Sequence, residues 1–323
     1  MHLKDLGERG VISRIRRQWA GGGHGVVLGI GDDAALVRGP KNLLITTDLL
    51  VEDVDFRQAL HPPRLLGRKA LSVNLSDIAA MGGRPLHAVL GLALPGATEL
   101  AWLEAFLDGF REAARRSGVA LAGGDISASR QVMIAVTVTG KAASVVPRSG
   151  ARPGDALFVS GTLGDAAQGR KLLEAGHRPG EKGAAGRLLR AFLDPSPRLE
   201  LGAALAGGKI SAAMIDLSDG LSVDLAHICE ESGVGAEIDL GRIPLSPALR
   251  RLSDDPLDAA LNGGEDFELL FAVRPANLGR ALALGERFKI TRIGRITRDK
   301  KILAVDAAGR RRPLKIKGYE HFR

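Results

Sequence analysis

Cys229 is the only cysteine in a chain of 323 residues, so no disulfide framework can form and nothing points to an oxidising compartment. Aromatic residues make up only 4% of the chain, with a single tyrosine. That leaves little from which to build the stacking platforms that single-stranded nucleic acids require. No stretch of about 18 uncharged apolar residues occurs, so no membrane-spanning helix is expected. Met1 to Asp5 lead into Arg14, Arg16 and Arg17 without an apolar core, so no secretory leader is expected either, and the setting is read as cytoplasmic. The seven histidines are scattered without H-x-x-x-H spacing, which argues against zinc. There is no G-x-x-x-x-G-K-[ST] motif, no nucleophile elbow and no readable Ser/His/Asp set.

The residues that are present describe a globular chain. Hydrophobic residues account for 45% and charged residues for 25%, and mean hydropathy lies near zero. Lys and Arg number 45 against 37 Asp and Glu, a net charge of +8. That balance invites an anionic partner, but no nucleic-acid-binding motif accompanies the basic residues, and neither nucleic acid nor membrane is expected as partner.

The apolar pattern predicts an amphipathic segment over Leu6 to Trp19 and a strand–turn–strand unit from Val26 to Val37. An apolar run over Asn42 to Val51 follows. A long helix is predicted from Pro62-Pro63 to Met81-Gly82-Gly83, then a strand over Leu86 to Leu94 and a helix over Glu99 to Ser117. After Gly123-Gly124-Asp125, Val132 to Gly140 alternates as a strand. Pro, Ser, Gly and Arg concentrate between Lys141 and Asp155, suggesting a domain boundary with domains at residues 1–140 and 141–323. The second half carries predicted strands at Ala156 to Ser160, Ala212 to Asp216, Ala236 to Leu240, Phe267 to Val273 and Ile290 to Ile296. Its predicted helices are Leu163 to Ala175, Pro197 to Ala206, Leu221 to Ser232 and Ala276 to Leu284. The fold class is α/β, with mixed (α+β) sheets in two domains.

Acidic residues carry the functional signal. Asp32-Asp33, Asp48, Asp77, Asp125, Asp216, Asp219 and Glu265-Asp266 are expected at strand ends and turns, beside Gly, Ser or Thr and strongly apolar runs. Charge placed there costs several kcal/mol per unpaired ion, and too few Lys or Arg lie in the same turns to compensate. A divalent cation with oxygen ligands satisfies the pattern, and Mg²⁺ suits a site shared with phosphate. Gly29-Ile30-Gly31-Asp32-Asp33-Ala34 fits G-x-G-x-x-A formally. Two carboxylates would nevertheless face a pyrophosphate there, and a strand follows rather than a helix, so the dinucleotide reading is rejected. Asn74 and Asp77 share a helix face. His227 is read as a packed or capping residue and Cys229 as a small core residue.

Eight ordered stretches then carry a resemblance: GIGDDAA (29–35), TTDLLVEDVDF (46–56), KALSVNLSDIAAMGGRP (69–85), GGD (123–125), RSGARPGD (148–155), IDLSDGLSVDL (215–225), GGEDFEL (263–269) and GYEHF (318–322). On these the sequence resembles the thiamine-monophosphate kinases, of the superfamily that includes aminoimidazole ribonucleotide synthetase and selenophosphate synthetase. The resemblance implies a two-domain aminoimidazole ribonucleotide synthetase-like fold and a homodimer formed through the N-terminal domains. It implies transfer of the ATP γ-phosphoryl group to thiamine monophosphate, with several Mg²⁺ ions. By motif position Asp33, Thr46, Thr47, Asp48, Asp77, Asp125, Asp216 and Asp219 would be metal-site residues. Gly124, Asp125, Arg148 and Ser218 would contact the nucleotide, and Glu265 and Tyr319 the thiamine part. No side chain is expected to act as a catalytic acid or base. Two departures stand out. The family commonly has VEDVHF, whereas Asp55 takes the place of that His and is expected either to face the thiazolium or to join the metal shell. A tyrosine often found on the helix before GGD is replaced nearest by Leu107. The rival within the superfamily is another ATP-dependent kinase or synthetase acting on a different phosphorylated small molecule; selenophosphate synthetase would show a Cys or selenocysteine near its N-terminus, and none occurs here.

Overall fold

The computed structural model describes residues 26–28, 32, 35–38 and 42–318. The expected helix over Leu6 to Trp19, most of the Gly29–Ala34 turn including Asp33, and Tyr319 lie outside them. Two mixed sheets organise the described residues. The first has six strands in the order β1-β2-β3-β6-β4-β5. These are β1 (Val26–Leu28), β2 (Ala35–Arg38), β3 (Asn42–Val51), β4 (Arg84–Leu94), β5 (Ala120–Ala128) and β6 (Met133–Lys141). β3 pairs with β6 antiparallel from Leu43↔Lys141 to Val51↔Met133, and β5 lies parallel to β4 at the edge.

Two 18-residue helices cover one face of this sheet: α1 (Pro63–Ala80) and α2 (Leu100–Ser117). Alternate residues Val132, Ile134, Val136 and Val138 of the sheet meet Leu71, Leu75, Ile78, Phe106 and Phe110. Proline at the start of α1 presets the first turn, and Gly82, at φ 70, follows its C-terminal cap Met81. The two helices approach closely because Gly67 and Gly109 lack side chains; a Cβ at Gly67 would lie 2.0 Å from the Phe106 carbonyl oxygen.

The second sheet has seven strands in the order β13-β12-β9-β11-β7-β10-β8. They are β7 (Ala156–Ser160), β8 (Ser211–Asp216), β9 (Gly235–Asp239), β10 (Leu269–Val273), β11 (Ile290–Thr297), β12 (Ile302–Val305) and β13 (Arg311–Pro313). Its helices are α3 (Asp165–Glu174), α4 (Gly183–Leu193), α5 (Leu199–Gly207), α6 (Leu221–Ser232), α7 (Pro247–Leu252), α8 (Pro256–Asn262) and α9 (Leu278–Leu284). α6 packs on one face of β7 and β10 through Leu221, Leu225 and Ile228. On the other face Leu201 and Leu205 of α5 pack together with Ala79 and Ala80 from the end of α1. α1 therefore belongs to the cores of both sheets, which is why it is buried almost all round.

Several expectations need correction. Gly123-Gly124-Asp125 is not a turn but the middle of β5, and Asp48 lies within β3 rather than at its end. β10 starts at Leu269, not Phe267, because Glu265 and Phe267 have φ of 68° and 48°, which a strand cannot accommodate. The short helices α7 and α8 were not anticipated; each begins with proline behind a capping side chain, Ser246 accepting from the Leu249 N–H and Asp255 from the Asp258 N–H.

Candidate active site

β8 ends at Asp216, 2% exposed, and turns through Leu217-Ser218-Asp219-Gly220 into α6. Gly220 has φ 118, a conformation that side chains rarely adopt. One turn into α6, Asp224 reaches back and accepts from the N–H groups of Asp219 (3.3 Å) and Gly220 (3.1 Å). Burial, and then the charges of Asp219 and Asp216, push the Asp224 carboxyl well above the usual range, while Arg148 opposes the shift. Arg148 is half-buried; its backbone N–H donates to Asp32 at 3.2 Å, and its Nε lies 3.9 Å from the same carboxylate. Ligand atoms of Asp219, Asp224 and His227 all lie within 4.8 Å of one another, so His227 sits beside acids rather than merely packing.

The first half contributes a second group. Thr46, buried on β3, donates from Oγ1 to Asp77 of α1 at 2.5 Å. Asp48, two residues along the same strand face, is pushed up to about 6 by burial and by the Asp55 charge. Asp55 accepts from the Val51 N–H at 2.8 Å, which fixes it at the end of β3. Asp48 and Asp55 from the first half, and Ser218, Asp219 and Glu265 from the second, line one cleft of about 600 Å³. Phe56, His61 and Phe192 form an aromatic wall of the cleft, with the His61 ring edge-on to both, and Arg57 and Arg170 also border it.

The GGED loop divides its acids by task. Asp266 accepts from the N–H groups of Gly164 (2.7 Å) and Ala166 (3.3 Å) at the start of α3. Glu268 is buried and bonded by Arg198 and Ser160. Only Glu265 faces the cleft, its N–H donating to the Ser218 carbonyl at 2.7 Å.

Thr47 and Asp125 do not join this group within one chain. Asp125 stands in the row Gly91–Ala135 and Asp48 in the row of Val136. Adjacent rows point to opposite faces of a sheet. Thr47 likewise bonds Thr137 Oγ1 at 3.0 Å, away from Asp77. Gly124 sits where a Cβ would lie 2.0 Å from the Leu90 carbonyl oxygen. Leu107 packs against the first core, Cys229 is buried, and Asn74 donates to the Ala70 carbonyl of its own helix. Sequence reasoning passed over Asp224, Lys69, His61 and Phe192 as site residues, and Asp32, named among the turn acids, was given no metal role. Asp224 had a signal, an acid one turn into an otherwise apolar helix; His61 and Phe192 had none.

Two α/β units joined by such an acid-lined cleft define a class. Residues 31–142 match the AIR synthase related protein N-terminal domain, and residues 152–306 match the corresponding C-terminal domain. The thiamine-monophosphate kinase of Escherichia coli O157:H7 is 41% identical over 304 residues, 92% of each chain. That of Aquifex aeolicus is 36% identical over 330 residues, with both chains covered completely. A solved structure described as AaThiL complexed with AMPPCP and TMP superposes with a TM-score of 0.89 at 35% identity, covering 99% of each chain. The chain belongs to the thiamine-monophosphate kinase family.

Proposed function

We propose that this cleft transfers the γ-phosphoryl group of ATP directly to thiamine monophosphate, giving thiamine diphosphate and ADP. The observation that carries the reading is the convergence of Asp48 and Asp55 from the first half with Asp219 and Glu265 from the second on one cleft, in a chain with this family membership. Carboxylates would repel two phosphate-bearing substrates, so the arrangement makes sense only with cations between them.

The donor set fits Mg²⁺. It consists of hard oxygens, and burial together with neighbouring carboxylates pushes Asp48 and Asp224 upward, a repulsion that a divalent cation among them would relieve. Asp48, Asp77, Asp216 and Asp219, with Thr46, would hold the ions, and Asp33 joins them by motif position. When bound, Mg²⁺ supplies neutralisation of the phosphate oxygens and a template for in-line transfer. Thr46 fixes the Asp77 carboxylate, and the Val51 N–H fixes Asp55 near Asp48, where Asp55 either meets the thiazolium or enlarges the metal shell. Arg148 and Ser218 contact the nucleotide, while Glu265 and Tyr319 orient the thiamine part. The acceptor phosphate has a second pKa of about 6, so it is largely deprotonated at neutral pH and needs no general base. Positioning carries the rest of the catalysis.

Residues 1–140 and 141–323 form the two domains of this reading. Gly124, Asp125 and Thr47 lie on the first sheet's edge strand and open face; packing of a second copy there, as a homodimer, would give them their role. The enzyme works in the cytoplasm on small molecules, without nucleic acid or membrane. Incubation with thiamine monophosphate and γ-labelled ATP tests the reading: label appears in thiamine diphosphate and none in protein. Label trapped covalently on the chain would overturn direct transfer, and ATP hydrolysis without labelled thiamine diphosphate would overturn the substrate.

A further inference from the structure

Lys69 lies on α1 among buried apolar residues such as Leu66, Ala70 and Val73, and is itself 2% exposed. A buried ion pair rarely stabilises a fold more than apolar residues of the same size would, so nothing in the packing of α1 calls for a lysine. Its Nζ lies 2.6 Å from Glu265 Oε1, across the boundary between the two halves, and 3.9 Å over the ring centroid of Phe192. The pair is one-sided: the cation is sealed off, whereas Glu265 is 32% exposed and lines the cleft. The Glu265 backbone is held too, at φ 68, in a conformation that non-glycine residues seldom adopt. The nearby His61 ring is pushed down to about 4 by burial and by the Lys69 charge, so it stays neutral through the physiological range and adds no competing cation.

We propose that Lys69 is a positioning residue for acceptor recognition, clamping one oxygen of Glu265 so that the carboxylate presents a fixed face to the nitrogen-rich cationic part of thiamine monophosphate. This rests on the reading that Glu265 contacts the thiamine moiety. The consequence is that the first half sets acceptor affinity through a residue that never touches the acceptor. α1 thereby ties the fit of the substrate to the seating of one half on the other.

Lys69→Met keeps the length and packing on Phe192 and removes the charge. With the full-length chain, initial rates are measured against thiamine monophosphate at saturating ATP, and then the reverse. The clamp predicts a rise of about tenfold or more in KM for thiamine monophosphate, with kcat and the KM for ATP within about twofold. Glu265→Gln gives a comparable selective rise, and the double variant is no worse than Glu265→Gln alone, because both changes break one contact. An unchanged acceptor KM in Lys69→Met, or effects that multiply in the double variant, would overturn the proposal. Thermal unfolding of Lys69→Met and Lys69→Gln is followed in parallel; failure of both to fold would overturn it as well, by making Lys69 a structural strut. A wild-type chain inactive on thiamine monophosphate would overturn the functional reading and this proposal with it. An active wild type with a normal acceptor KM in Lys69→Met would overturn the clamp alone.

Discussion

The two sheets handle burial in opposite ways. The first is covered by α1 and α2 on one face only, and its other face presents Thr47, Leu49, Val89 and Asp125, all exposed. In the second, β7 and β10 are buried along their whole length, between α6 on one side and α5 with the end of α1 on the other. The acids follow from this. A half-covered sheet can carry a carboxylate in mid-strand on its open face, as at Asp125, whereas Asp48 lies on the helix-covered face, half-buried where β3 borders the cleft. The sealed strands β7 and β10 have no row free for charge; the outer strands of that sheet carry Glu237 paired with Arg295, and the site acids gather where β8 ends and α6 begins, at Asp216, Asp219 and Asp224. The cleft forms where Asp48 of the first sheet and Asp219, from the turn after β8, line one space.

If both arrangements serve one reaction, Asp48→Asn and Asp216→Asn should each lower kcat by about a thousandfold, with folding intact. Steady-state rates and thermal unfolding check this, and a variant from either half that retained full activity would break the symmetry between them. The contrast in burial predicts a contrast in stability. Phe271→Ala, in the sealed sheet, should cost about 3–5 kcal/mol, and Leu49→Ala, on the open face, about 0.5 kcal/mol or less, measured by denaturant titration. A large cost at Leu49 in the dilute, monomeric chain would mean that its face is covered after all.

The seam between the halves has its own signature. His61 falls from 6.5 to about 4 on folding. As pH drops below 6.5 the unfolded chain takes up a proton that the folded chain refuses until about 4. This group therefore contributes a loss of up to about 3 kcal/mol across that window. In His61→Phe the corresponding part of the pH slope should disappear from unfolding curves recorded between pH 4 and 7. The smallest effect concerns Cys229, whose thiol burial pushes up to about 12. It should resist a maleimide in the native state at pH 8 and react only as the second core opens, which gives a local probe of that half.

Much of this was readable in advance where local chemistry is strong. Proline at the start of α1, the Gly82-Gly83 stop and the alternation through β6 placed their elements closely. β5 was not readable: an edge strand exposed along its length shows no alternation, and Gly-Gly-Asp reads as a turn. The motifs named Asp48, Asp216 and Asp219, but strand register, which a sequence does not display, decided that Asp125 and Thr47 face away. Lys69 was hidden for a similar reason. Within its own helix it looks like a surface residue, and its partner Glu265 lies in the other half of the chain.

Formation of thiamine diphosphate, followed as free Mg²⁺ is raised beyond the amount that saturates ATP, tests whether the carboxylates of both sheets hold metal for phosphoryl transfer. The rate should continue to rise past that point and vanish with excess chelator. A rate that plateaus once all ATP is Mg-bound, or that survives chelation, would contradict the account.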